Sequence, residues 1–132
     1  MPAKPARRPI KDTDLLRLNA LTSVSLSPDE TKVAWTAERV DVKENKYYSN
    51  IWIKDLRNGL TRRFTHGNWS DGKVVWSPDG SQFVFQSTRE KKTGVYLMPA
   101  TGGAERKLME LEAELTDLNW TPDSKHLFFS MR

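Results

Sequence analysis

Short runs of alternating apolar and polar residues, separated by Pro-Asp turns, organise this chain. In residues 82–86 (QFVFQ) the alternation puts Phe83 and Phe85 on one face of an extended segment and Val84 on the other. Comparable segments predict strands over 73–76, 94–98 and 106–109, with a turn at 77–80. Residues 14–21 (DLLRLNAL) break this rhythm. Leu15 and Leu18 stand three apart behind Asp12 or Thr13, which predicts a short capped helix leading into a strand at 23–26.

The pattern repeats. Ser27-Pro28-Asp29-Glu30 returns as Ser77-Pro78-Asp79-Gly80 and again as Thr121-Pro122-Asp123-Ser124, with the prolines 50 and 44 residues apart. Residues 51–56 (IWIKDL) return 44 residues later as 95–100 (VYLMPA), and 59–64 (GLTRRF) as 103–108 (GAERKL). The first unit is longer through an insertion within residues 40–48 (VDVKENKYY). Four strands per unit at a period near 44 residues match a β-propeller blade.

The turn has a physical basis. Proline pre-sets φ, the Ser and Asp side chains bond nearby amides, and glycine takes the left-handed conformation that closes the hairpin. Glu30 and Ser124 stand at the glycine position in two copies, so those hairpins either use another loop or carry strain of about 1–2 kcal/mol. Residues 107–118 admit two readings. Leu108, Leu111, Leu115 and Leu118 have helical spacing, whereas the repeat register makes the start of the segment a fourth strand and its middle an inter-blade loop. The register is the preferred reading.

The expected architecture is therefore an all-β, partial β-propeller of four-stranded antiparallel blades, about two and a half blades long, with a short N-terminal helix. It divides into a basic tail (1–11), the helix (12–22), blade 1 (23–69), blade 2 (70–113) and an incomplete blade 3 (114–132). Trp35, Trp52, Trp76, Tyr96, Trp120 and Phe128 fall on strands, where inter-blade packing needs large side chains. An open stack leaves a sheet edge and an apolar blade face bare, so the isolated chain is expected to be poorly soluble.

Composition narrows the chemistry. Of 132 residues, 37% are hydrophobic and 29% charged, as in a globular domain, and no apolar run reaches the length of a membrane helix. The N-terminus (MPAKPARRPIK) is basic, but no apolar stretch follows, so no export signal is expected and a cytoplasmic location is. The chain has no cysteine, which removes disulfides, thiolate nucleophiles and cysteine-based zinc sites. His66 and His126, the only histidines, belong to no metal-spaced cluster and are read as ordinary loop or strand residues. The net charge of +4 is scattered among acidic residues, so neither nucleic acid nor membrane is an expected partner. No catalytic, cofactor-binding or metal-binding residue is assigned, and no cofactor is expected.

Residues 14–18 (DLLRL), Leu26-Ser27-Pro28-Asp29, Ile51-Trp52-Ile53, residues 62–67 (RRFTHG) and residues 75–80 (VWSPDG) follow in this order. Together they resemble the N-terminal propeller of the prolyl oligopeptidase family, in its acylaminoacyl-peptidase and dipeptidyl-peptidase branch. The resemblance covers roughly residues 12–132. It implies a propeller that caps a C-terminal α/β-hydrolase domain and admits short peptides to a Ser-Asp-His triad. This chain has no Gly-x-Ser-x-Gly elbow, so no triad residue is carried over. The implied partners are the remaining blades, the hydrolase domain and short peptide substrates, with a homo-oligomer as a further candidate state. The alternative is a non-enzymatic TolB-like propeller that docks a protein partner, since TolB-like propellers share the Ser-Pro-Asp-Gly turn. A third reading is a small protein that closes a ring from several subunits.

Overall fold

The computed structural model describes residues 21–112 and 115–131. The helix expected over 12–22 lies outside them, except that Leu21 and Thr22 open the first strand. The described chain is all strand, turn and loop, in antiparallel order. Strands β1 (Leu21–Leu26), β2 (Lys32–Asp41), β3 (Lys46–Asp55) and β4 (Thr61–Arg63) form the first blade. Strands β5 (Ser70–Trp76), β6 (Gln82–Arg89), β7 (Lys92–Pro99) and β8 (Arg106–Leu111) form the second. Strands β9 (Leu115–Trp120) and β10 (Leu127–Met131) pair as the start of a third. A single parallel bridge, Ser49 with Ser70, ties the first sheet to the second.

Residues 106–111 and 115–120 thus follow the repeat register and not the helical spacing of their leucines, with β8 and β9 as separate strands. The leucines serve the seam between blades. Leu115 is buried with Val84 and Val95, and Leu111, Leu118, Trp120 and Leu127 pack against that group. Burial against a neighbouring sheet overrides a local helical pattern when a strand pairing satisfies the same backbone groups.

The larger core lies between the first two blades. Ala34, Ile51 and Ile53 from blade 1 meet Val74, Trp76, Phe83, Phe85 and Met98 from blade 2. Phe83 is the hub, with its ring 5.2 Å from Trp76, 6.0 Å from Phe85 and 6.2 Å from Phe64. Phe83 and Phe85 face blade 1 while Val84 faces blade 3, as the alternation predicts. Each inner strand also shifts register near its start, between Leu21 and Ser23, between Gly72 and Val75, and between Leu115 and Asp117 respectively. Such bulges add twist, which lets successive inner strands lie side by side: β1 beside β5, and β5 beside β9.

The three Pro-Asp turns are one structure. The N–H of Glu30, Gly80 and Ser124 each donates to the carbonyl of the Ser or Thr that opens the turn, at 2.8–3.0 Å. All three take left-handed backbones, with φ of 61°, 74° and 62°. The two non-glycine copies therefore keep the loop and bear the strain. Ser124 turns it to use: its Oγ accepts the backbone N–H of Asp79 at 3.1 Å, joining the turn of blade 3 to that of blade 2.

The two outer faces of the stack differ sharply from the inner ones. Val24 and Leu26 of β1 are 69% and 49% exposed, while their repeat counterparts Val74 and Trp76 lie buried under blade 1. Phe128, the counterpart of fully buried Val84, is 55% exposed.

Candidate functional site

Among the described residues, neither histidine joins a cluster of acid, base and nucleophile. His66 is exposed and its Nδ1 accepts a hydrogen bond from Nε of Arg63 at 3.1 Å. His126 is exposed and stands 3.8 Å from Asp123. Among the described residues no three His, Asp or Glu side chains group as metal ligands would.

The most distinctive chemistry is a buried carboxylate at the seam of blades 1 and 2. Asp71, near the start of β5, is 3% exposed. Its Oδ1 accepts from Ser87 Oγ at 2.5 Å and its Oδ2 from Asn50 Nδ2 at 3.3 Å. The Thr65 hydroxyl also donates to it, while accepting the N–H of Ile51 at 2.8 Å. Burial pushes the Asp71 carboxyl above its ordinary value, because desolvation outweighs these hydrogen bonds and the attraction of Arg89.

Arg89 continues the network. Its Nε donates to Ser87 Oγ at 2.9 Å and its Nη2 to Glu105 at 2.7 Å. The guanidinium lies over the rings of Tyr96 and Trp69, at 4.1 and 4.6 Å. The planar cation thus joins β6, β7 and the loop before β5 through contacts a lysine could not reproduce together. At the outer rim Arg62 makes a second tie, over the Phe64 ring at 4.6 Å with its Nη2 donating to the Thr101 carbonyl at 2.7 Å. It borders a shallow cavity of about 350 Å³ lined by Ile53, Leu60, Phe64 and Ala100.

Sequence reasoning did not single out Asp71, Asn50 or Ser87, though the repeat contains the signal. Asp71 pairs with Ser87 across β5 and β6; Leu115 pairs with Met131 at the same place in the third unit, and Leu21 with Ala37 in the first. Gly94 occupies the repeat position of Asn50. Positions that are Asp, Ser and Asn in one unit are Leu, Met and Gly in the next, and comparing copies position by position reveals it. The arrangement pins two blades together with a single buried charge. The Ser87 hydroxyl and the Asp71 carboxylate are both buried and engaged with each other.

The comparisons agree with this architecture. The TolB beta propeller domain family (PD40) matches residues 17–132. An uncharacterized peptidase, YuxL of Bacillus subtilis (strain 168), is 30% identical over 119 residues, which is 89% of this chain and 18% of that protein. Among solved structures, an acylaminoacyl peptidase in complex with Z-Gly-Gly-Phe-chloromethyl ketone superposes with a TM-score of 0.70 at 20% identity, over 83% of this chain and 17% of that one. TolB from Acinetobacter baumannii superposes with a TM-score of 0.63 at 22% identity, over 84% of this chain and 26% of that one. The chain spans less than a fifth of either peptidase, and at these identities the solved structures speak to the fold. The resemblance to peptidase propellers holds, and with the family match running through every described residue, this chain belongs to the TolB beta propeller domain family.

Proposed function

We propose that this chain is the non-catalytic N-terminal propeller portion of a cytoplasmic serine peptidase that cleaves short peptides, and that it serves as substrate gate and scaffold. The observation that carries the reading is the match to a peptidase along 89% of the chain at 30% identity. The bare faces at Val24 and Phe128 support it, since each is a blade face of the kind that a further blade buries. The catalytic residues then come from the hydrolase domain, and the Asp71 network holds the first two blades in register around the path of the peptide.

The test is a serine-reactive fluorophosphonate probe on the native gene product in its source cells, with intact mass read on the labelled band. A labelled protein several times heavier than 15.2 kDa is expected. An unlabelled product, or one of 15.2 kDa, sinks the reading. A second reading is a TolB-like propeller that docks a protein partner without catalysis, favoured by the superposition on TolB. An unlabelled product that carries further blades would support it.

A further inference from the structure

Among the described residues, the non-glycine positions with left-handed backbones are Glu30, Asn45, Lys73, Glu90, Lys91 and Ser124. All but Lys73 sit in the turns that join paired strands. Lys73 alone lies within a strand, at φ 54° on β5. It stands in the bulge between Gly72 and Val75, where Lys73 and Val74 together oppose Phe85. In such bulges the left-handed position is ordinarily glycine. Here the glycine sits one residue earlier, and holding lysine in its place costs about 1–2 kcal/mol. The repeat counterparts Ser23 and Asp117 take no left-handed backbone, so the blade itself does not require it.

The bulge also decides where the side chain goes. Asp71, Val74 and Trp76 all face blade 1. Lys73 is the extra residue among them, and it is exposed. Its Nζ donates to the Leu115 carbonyl of β9 at 3.4 Å, a long bond that uses one of its three donors. Among the described residues no carboxylate pairs with this ammonium. β5 lies between β1 and β9, and the innermost strands of a propeller border its central channel. A strained residue whose charge is exposed on such a strand points to a ligand.

The surroundings favour an anion. Lys73 borders a depression of about 160 Å³ together with Ser70, Thr88 and Gln86. Ser70 pairs with Thr88 across β5 and β6, so the two hydroxyls are neighbours. The ammonium, both hydroxyls and the Gln86 amide are all able to donate. Asp71 forms part of the wall, but its carboxyl is engaged by Ser87 and Asn50, and burial favours its neutral form. We propose that Lys73 is a substrate-contacting residue of the propeller channel, whose ammonium binds the carboxylate of a short peptide. The inference deepens the gate reading above and rests on it for the choice of a peptide as ligand.

Isothermal titration calorimetry on the native-length protein tests it, after incubation with a fluorophosphonate to stop turnover. Three N-acetylated tetrapeptides are compared: all-alanine with a free C-terminus, its C-terminal amide, and the amide with one alanine replaced by glutamate. A peptide bearing a carboxylate is expected to bind at least about tenfold more tightly than the neutral amide. Which of the two does so identifies the terminal or the side-chain carboxylate as the group bound. Lys73→Asn tolerates the left-handed backbone and is expected to abolish the difference without lowering the melting temperature. Lys73→Gly relieves the strain and is expected to abolish it too. An unchanged protein that binds neither carboxylate more tightly than the amide overturns the proposal. So does a preference that survives in the variants, and if they also melt lower, Lys73 serves only its tie to Leu115. Fluorophosphonate labelling reads the peptidase assignment separately. An unlabelled protein with the carboxylate preference keeps this site and loses the peptidase reading, and a labelled one without the preference does the reverse.

Discussion

The indole Nε1–H of Trp76 donates to the backbone carbonyl of Ser25 at 3.3 Å, crossing from the inner strand of blade 2 to that of blade 1. One repeat later Trp120 donates to Val75 at 3.0 Å. Ser25 and Val75 are themselves repeat counterparts, so the same latch closes both seams. At the first blade the position holds Leu26, which has no donor to offer.

Replacing either tryptophan by phenylalanine keeps the ring and removes the donor. Each change is expected to cost about 0.5–1.5 kcal/mol for the lost hydrogen bond, with a further loss from the smaller buried ring. Trp76→Phe should cost more than Trp120→Phe, because Trp76 is the more deeply buried and packs at a tilt against Phe83. Chemical denaturation of the native-length protein measures both. An equal, negligible effect would show that the latch accompanies packing without adding to it.

The Asp71 carboxyl makes a prediction of defined sign. Its value in the folded chain lies above the ordinary 3.8, so the folded state holds its proton more tightly than the unfolded one. This residue alone therefore favours folding at low pH. Its contribution falls as pH rises from about 3.8 through the folded value, and is flat above it. Asp71→Asn should flatten that part of the stability profile. Asp71→Leu, copying Leu115, should instead destabilise by about 1–3 kcal/mol because Ser87 loses its acceptor and Asn50 keeps only the Gly67 carbonyl. Adding Asn50→Gly and Ser87→Met, so that all three positions carry the residues found one repeat later, should recover part of the loss. Additive losses across this series would mean that the three residues do not act as a unit.

The turns predict the opposite pH trend. Hydrogen bonds from Thr31 and Ser27 hold the Asp29 carboxyl at about 2, below its ordinary 3.8, and similar bonds lower Asp79 and Asp123. For Asp29 the stabilisation is complete above about 3.8 and is lost as pH falls towards about 2. Carboxyl chemical shifts followed by NMR would read these values directly. In the same turn, Glu30→Gly should stabilise by up to about 1–2 kcal/mol, since only glycine takes φ near 61° without strain. Ser124→Gly should gain less, because it also gives up the bond to Asp79. A lower melting temperature for Glu30→Gly would show that unfolded-state entropy outweighs the strain.

Much of the fold was legible because the repeat is written in local chemistry. Proline, aspartate and a left-handed position specify the turn within four residues, and Phe83, Val84 and Phe85 assign themselves to opposite faces by alternation alone. The insertion in residues 40–48 could be placed by comparing the two spacings, and the structure localises it to the hairpin tip. The leucines at 108–118 were ambiguous because a helix and a pair of strands on a seam both bury them. Only the neighbouring sheet decides between the two.

The sequence by itself determined the blade: its turns, its strands, their alternation and the repeat that stacks one unit on the next. Tertiary structure decided what the seams do. That Asp71 is desolvated and that Trp76 finds a carbonyl 51 residues away depend on how two sheets lie against each other. Alternation assigns a residue to a face. Which partner meets that face, and whether water remains there, is set by contacts between residues far apart in the chain.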